Sequence, residues 1–347
     1  MSRSISRPRS TLQFWLLLPL LVILAALMLI APQVKSSAAQ TGPAWEPWQR
    51  LEGVVDVGAR ADGSLVAMAN GLLFLVSPDG AIAPFARGAD GYSGPAGAEP
   101  YFVVAPLLPT QSAACGFVPD DLLILDLSSP AGVTRVDAAG RASRFATIAS
   151  VDSLFGIAFD TTGRFGYALL VVGQRQGVTA VFAVDCQGGV TTVANSAPLV
   201  EGGVAVAPSE FGPFGGALIA PDELSGQIWA IGSDGSADLV AVPDLPTGGD
   251  TGVESIGFVP PGFSGGGFAY LADRGTPDNP FPGTDSILRL SSATLAAAGV
   301  QEGDLLVATE GGGLTVAVHC DLVCTATRIA DGPPGGHIEG HIVLTTR

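Results

Sequence analysis

Leu199-Val-Glu201-Gly-Gly-Val-Ala-Val-Ala207 opens the stretch that decides the fold. A Gly/Pro/Phe-rich turn follows from Ser209 to Gly216, then Ala217-Leu-Ile-Ala-Pro-Asp222-Glu223. Next come Gln227-Ile-Trp-Ala-Ile231, the turn Gly232-Ser-Asp-Gly235, and the apolar run Leu239-Val-Ala-Val242. Four short apolar runs divided by turn residues, over about 45 residues, have the size of one β-propeller blade.

The same order recurs on both sides. One repeat runs from Leu51-Glu52-Gly to Ala86, the next from Glu99-Pro-Tyr to Ile148, and a third from Asp152 to Ala194. A fifth opens at Val253-Glu254-Ser and continues through Phe268–Asp273 and Ser286–Leu290. The last holds Asp304–Glu310, Leu314–His319, Thr325–Ala330 and the tail His337-Ile-Glu339-Gly-His341. Glycine closes the turns at Gly80, Gly140, Gly188 and Gly235, where it supplies positive φ at little steric cost. These spacings predict an all-β chain forming a six-bladed β-propeller, with five or seven blades and a β-sandwich as the alternatives. The domain organisation follows: 1–39 for targeting, 40–50 as linker, and 51–347 as one propeller.

Composition agrees. Of 347 residues, 47% are apolar and only 14% charged, with 47 Gly and 26 Pro, which suits many short strands joined by tight turns. Arg3, Arg7 and Arg9 precede an unbroken apolar run from Phe14 to Pro32, followed by Ser36-Ser-Ala-Ala39. That is the grammar of a secretory signal peptide. The run also approaches the ~20 residues that span a bilayer, so an uncleaved N-terminal membrane anchor is the alternative. Either way the propeller is expected to be extracytoplasmic, secreted or anchored at the outer face, touching membrane only through this segment.

Without the four basic residues before Gln40, twelve basic residues face 32 acidic ones, a net charge of −20. Such a surface repels phosphate backbones, which argues against nucleic acid as a partner. Lys35 is the sole lysine, so no Schiff-base chemistry is available to the exported part. Four cysteines in an oxidising compartment suggest disulfides, with Cys320–Cys324 across a hairpin and Cys115–Cys186 between repeats as the expected pairing.

The pattern that points to chemistry is an acid at the start of each first strand: Glu52, Glu99, Asp152, Glu201, Glu254 and Glu339. First strands line the central channel, so these carboxylates are expected to ring one of its mouths. The second strands return to that mouth, ending at Asn70, Asp222, Asp273 and Glu310. Clustered carboxylates repel unless a cation sits among them, and hard oxygen donors suit Ca2+ or Mg2+. The metal-ligand candidates are therefore Glu52, Glu201, Glu254, Glu339, Asp222 and Asp273. A second candidate is His337-x-Glu339-x-His341, where strand alternation places all three on one face and imidazole suits Zn2+. Gly262-Phe-Ser264-Gly-Gly266 matches a nucleophile-elbow pattern but falls between two strands rather than before a helix. The acidic loop Asp273–Asp285 lacks EF-hand spacing.

The repeat grammar, with turns such as Ile231-Gly-Ser-Asp-Gly235, resembles the broad propeller group of NHL-type repeat proteins and the gluconolactonase/senescence-marker-protein family, over nearly all the exported part. The resemblance implies a divalent metal at the channel mouth, held by acidic and Asn side chains at strand starts, with Glu52 and Glu201 similar to that pattern. With only Asn70, Asn195 and Asn279 in the chain, the ligand set here would be mostly Asp and Glu. The expected function is an exported binding module with an acidic, metal-holding channel mouth, taking a protein, a polysaccharide or a small molecule. The alternatives are a metal-dependent lactone or ester hydrolase and a purely structural surface propeller.

Overall fold

The computed structural model describes residues 42–95, 97–108, 116–149 and 151–346. The targeting segment 1–39 and Cys115, with its expected pairing to Cys186, lie outside the described residues. Six four-stranded antiparallel sheets form the blades of a β-propeller. The inner strands are Val54–Ala59, Phe102–Val104, Ser153–Phe159, Ala205–Val206, Val253–Phe258 and Ile338–Thr346. The deciding stretch forms the fourth blade as read: Ala205–Val206, Leu218–Asp222, Gln227–Ile231 and Ala237–Ala241. Its turn glycine, Gly235, has φ +81, and Gly80, Gly140 and Gly188 take the same left-handed conformation at the matching turns of their blades.

The strands read as near-continuous apolar runs because every sheet is buried on both faces. On Leu122–Asp126, Leu122 and Ile124 pack against the first blade, while Leu123 and Leu125 pack against the third. On Leu305–Thr309, Leu305 and Val307 face the fourth blade, and Leu306 and Ala308 face the sixth. The core is thus six inter-blade clusters arranged in a ring. Each fully buried Leu, Val or Ile contributes roughly 1.5–3 kcal/mol.

The last two repeats depart from their linear reading. Val253–Phe258 pairs with Leu305–Thr309, not with the strand that follows it in sequence. Gly267–Asp273 and Ser286–Ser291 instead join the sixth blade, whose order is Ile338–Thr346, Gly267–Asp273, Ser286–Ser291, Glu46–Arg50. The chain crosses to the sixth blade through a 3-10 turn at Phe263–Gly265 and returns through the short helix Ser292–Ala297. Buried Phe263 and Leu295 sit in the core between these two blades and fix both crossings. Ser291 caps the helix by accepting from Thr294 N. Residues 40–50, expected as a linker, supply Glu46–Arg50 as the outermost strand, with Trp45 buried and donating from Nε1 to Thr315 Oγ1 at 2.8 Å. N- and C-terminal strands therefore close the ring in one sheet. The Cys320–Cys324 disulfide closes the hairpin of the fifth blade.

Candidate functional site: the acidic mouth of the channel

The starts of the inner strands meet at one mouth of the channel and their ends at the other. At the first mouth the structure gathers Glu99, Glu201, Glu254 and Glu339, and second strands add Glu223 and Glu310. Glu254, Glu310, Glu339 and His337 are buried there.

His337 precedes the inner strand of the sixth blade, and its backbone is anchored from behind. Buried Asp273 accepts from His337 N through Oδ1 at 2.7 Å and from Thr284 Oγ1 through Oδ2. The imidazole then presents Nε2 to Glu310 Oε1 at 3.0 Å and to Glu339 Oε1 at 3.2 Å. Potential ligand atoms of Glu310, His337 and Glu339 all lie within 4.8 Å of one another. The buried Nδ1 of His337 has no hydrogen-bond partner among the described residues.

Tyr101 Oη lies 2.8 Å from Glu254 Oε1 and 2.6 Å from Glu339 Oε2. A phenol has one proton to give, so one of these two carboxyls must itself carry a proton. Burial, then the charge of Glu339, raises Glu254 well above the usual carboxylate range. Burial and a hydrogen bond with Glu223 push Glu310 up to about 11. Partial desolvation, followed by the charges of Glu223, Glu99, Glu339 and Asp222, raises Glu201, which remains open to solvent. Arg274 reaches into this group, pairing with Glu99 and donating from Nη1 to Glu339 Oε1 at 3.2 Å. Six carboxyl groups thus share one mouth with one guanidinium and one imidazole.

The remaining sequence candidates take other places. Glu52 is exposed, and its backbone carbonyl accepts from Asn70 Nδ2. Asp152 accepts from Gln176 N at 2.7 Å, and Asp222 accepts from the backbone and hydroxyl of Ser225 in its own turn. His341 does not join His337. Gly340, at φ +68, and a bulge opposite Tyr270–Ala272 break the strict alternation of the strand. His341 turns instead to Asp56, with Nδ1 at 3.1 Å from both carboxylate oxygens and Nε2 at 2.9 Å from Ile157 O. Both partners only accept, so both ring nitrogens donate and His341 is an imidazolium. Burial opposes that charge, but Asp56 and the two hydrogen bonds outweigh it and raise the pKa.

Ser264 donates to Glu302 Oε1 at 2.6 Å from a 3-10 turn, not a strand–helix elbow. In the acidic loop, Asp285 Oδ1 accepts from Gly53 N and Gly275 N, which ties the loop to the first blade. Among the residues that build the mouth, Tyr101, Glu223 and Arg274 were not legible as site residues. Each adjoins or lies near one of the acids that was: Glu99, Asp222 and Asp273.

No protein-family model matches the chain, and no curated protein matches it. Among solved structures it is similar to virginiamycin B lyase from Staphylococcus aureus, at 10% identity over 82% of this chain and 73% of that one, with a TM-score of 0.48. A gluconolactonase from Xanthomonas campestris aligns at 15% identity over 68% of this chain and 71% of that one, TM-score 0.41. A Bacteroides thetaiotaomicron protein of unknown function aligns at 12% identity over 88% and 68%, TM-score 0.48. Gluconolactonase-like and virginiamycin B lyase propellers are therefore among its structural neighbours, and the chemistry is read from this chain's own residues.

Proposed function

We propose that this protein is an exported β-propeller that holds a divalent cation at its acidic channel mouth and binds a small polar ligand or partner there. The observation that carries the reading is the buried trio of Glu310, His337 and Glu339, with ligand atoms within 4.8 Å of one another amid further carboxyls. The donor chemistry fits a cation. Two carboxylates and one imidazole converge, and the surrounding acids are raised by burial and by one another's charge. Ca2+ or Mg2+ suits the carboxylates, but the imidazole favours a borderline ion such as Zn2+ or Mn2+. The basic and apolar N-terminal segment supports export.

A metal-dependent lactone or ester hydrolase is the second reading, favoured by the buried carboxyl of Glu254 beside Tyr101, raised above the usual carboxylate range. A bound divalent ion would supply Lewis-acid polarisation of a carbonyl. Glu254 would hold its proton on the carboxyl facing Tyr101 and could give it to a leaving oxygen, while Arg274 holds Glu339 in place.

Thermal unfolding in EDTA, followed by return of Zn2+, Mn2+, Ca2+ or Mg2+, tests the metal. An ion bound only by the native state raises the midpoint by RT ln(1 + [L]/Kd). The rise is expected first for Zn2+ or Mn2+ and is to be absent in His337→Ala. If no ion moves the midpoint, the reading fails. A lactone and ester screen on the metal-loaded protein then separates hydrolase from binding module.

A further inference from the structure

The opposite mouth of the channel is a separate cavity of about 350 Å³. The ends of all six inner strands form its wall, with Phe102, Val104, Phe159, Val206, Phe258 and Leu344 among the residues facing it. Its floor is His341, whose two nitrogens are already committed to Asp56 and Ile157 O. Wall segments such as Val57–Ala59 and Ala158–Phe159 belong to innermost strands, which pair with a neighbour on one side and border the channel with the other. Apart from His341, the side chains of the buried part of this cavity are apolar, while Thr161 stands exposed at the rim.

We propose that this second mouth is a binding site for a small amphiphile, taken up with its apolar aromatic or branched aliphatic end inward and its polar end at the rim. Three features set the ligand class. Every blade contributes apolar side chains to the wall, so desolvation of an apolar ligand group is the main gain on binding. The buried polar side chain at the floor, His341, already has partners on both ring nitrogens, so a polar group driven inward would lose its water without gaining a side-chain partner there. The cavity is enclosed at one end and open at the other, so the ligand enters by one end only.

The neutral fluorescent probe N-phenyl-1-naphthylamine tests the site on the purified protein. We expect saturable binding of one probe per chain, unchanged by EDTA or added Zn2+. Val104→Trp and Ala205→Trp fill the cavity from two different blades and should each weaken binding at least about tenfold. Thermal unfolding of each variant reports whether the fold survives. If either fails to fold, Val104→Ser keeps the wall small, lowers its apolarity, and should still weaken the probe. The proposal is overturned by no saturable binding, by binding that both filled variants retain, or by binding that follows the metal, which would place the probe at the acidic mouth.

Discussion

The two mouths of one channel are built from the same six strands, yet one gathers carboxyl groups and the other is apolar. The strand starts supply Glu99, Glu201, Glu254 and Glu339, and the strand ends supply side chains such as Val104, Val206 and Leu344. Between them lies a layer made by Asp56 and His341. Asp56 is fully buried, accepts from Phe102 N at 2.9 Å and His341 N at 3.0 Å, and pairs with the His341 imidazolium. One carboxylate thus ties together the first, second and sixth blades. The difference teaches that a propeller channel is no uniform pore: a single charged pair at mid-depth lets opposite chemistries occupy its two ends.

Removing that layer should have the largest effect. Asp56→Ala leaves three backbone N–H groups, of Val57, Phe102 and His341, and a buried imidazolium without their acceptor. Breaking a buried pair from one side costs about 3–5 kcal/mol. Urea unfolding should show that loss with little change in m-value, and a loss under about 1 kcal/mol would mean that the layer does not hold the blades together.

The acidic mouth is next. Glu310→Gln and His337→Ala each remove a donor from the trio, and each should weaken Zn2+ or Mn2+ on the order of 100-fold or more in a calorimetric titration. The same changes should leave N-phenyl-1-naphthylamine binding at the apolar mouth untouched. Loss of both activities in a folded variant would show that the mouths are coupled and would break the comparison.

Acidity should sharpen the contrast by a smaller amount. Glu254 and Glu310 are raised in the folded protein, so it holds protons that the unfolded chain releases. Stability from such groups is present below the ordinary carboxylate pKa of 4.5 and is lost as pH rises towards the folded value. The raised His341 acts in the same direction, its contribution fading as pH rises through its folded pKa. Metal-free protein is therefore expected to melt several degrees higher near about pH 5 than near about pH 8. Metal binding should show the opposite trend, tightening with pH because Glu310 must shed its proton to become a ligand. A metal-free midpoint that climbs with pH would contradict the raised carboxyls.

Much of this architecture was legible in the sequence because blades repeat locally: turn glycines and apolar runs announce themselves within about 45 residues. The crossing between the fifth and sixth blades was not legible. Val253–Phe258 can pair with either following strand, and Phe263 and Leu295, which decide it, read as ordinary loop and helix residues. The acids of the site were half legible for a similar reason. A strand start tells which mouth a carboxyl reaches, but not whether its side chain turns inward, and that depends on neighbours distant in sequence. Glu339 turns inward because Tyr101 and Arg274 meet it there, and Gly340 separates His341 from His337 by a kink that no alternation rule foresees.

Glu52 is the sharpest control on this account, and its expected effect is the smallest. It shares with Glu201 and Glu339 the sequence pattern aliphatic-Glu-Gly, so by sequence alone the three are equivalent. In the fold Glu52 is exposed, and its residue contributes the carbonyl that accepts from Asn70 Nδ2, which a glutamine supplies equally well. Glu52→Gln should therefore shift stability by no more than about 0.5 kcal/mol and leave metal affinity within about twofold of the unsubstituted protein. If it weakens the ion as much as Glu310→Gln does, then the ion sits nearer the first blade than the trio places it. The strand-start pattern would then outrank burial as the guide to the site, and the ligand set would have to be drawn again from the strand starts.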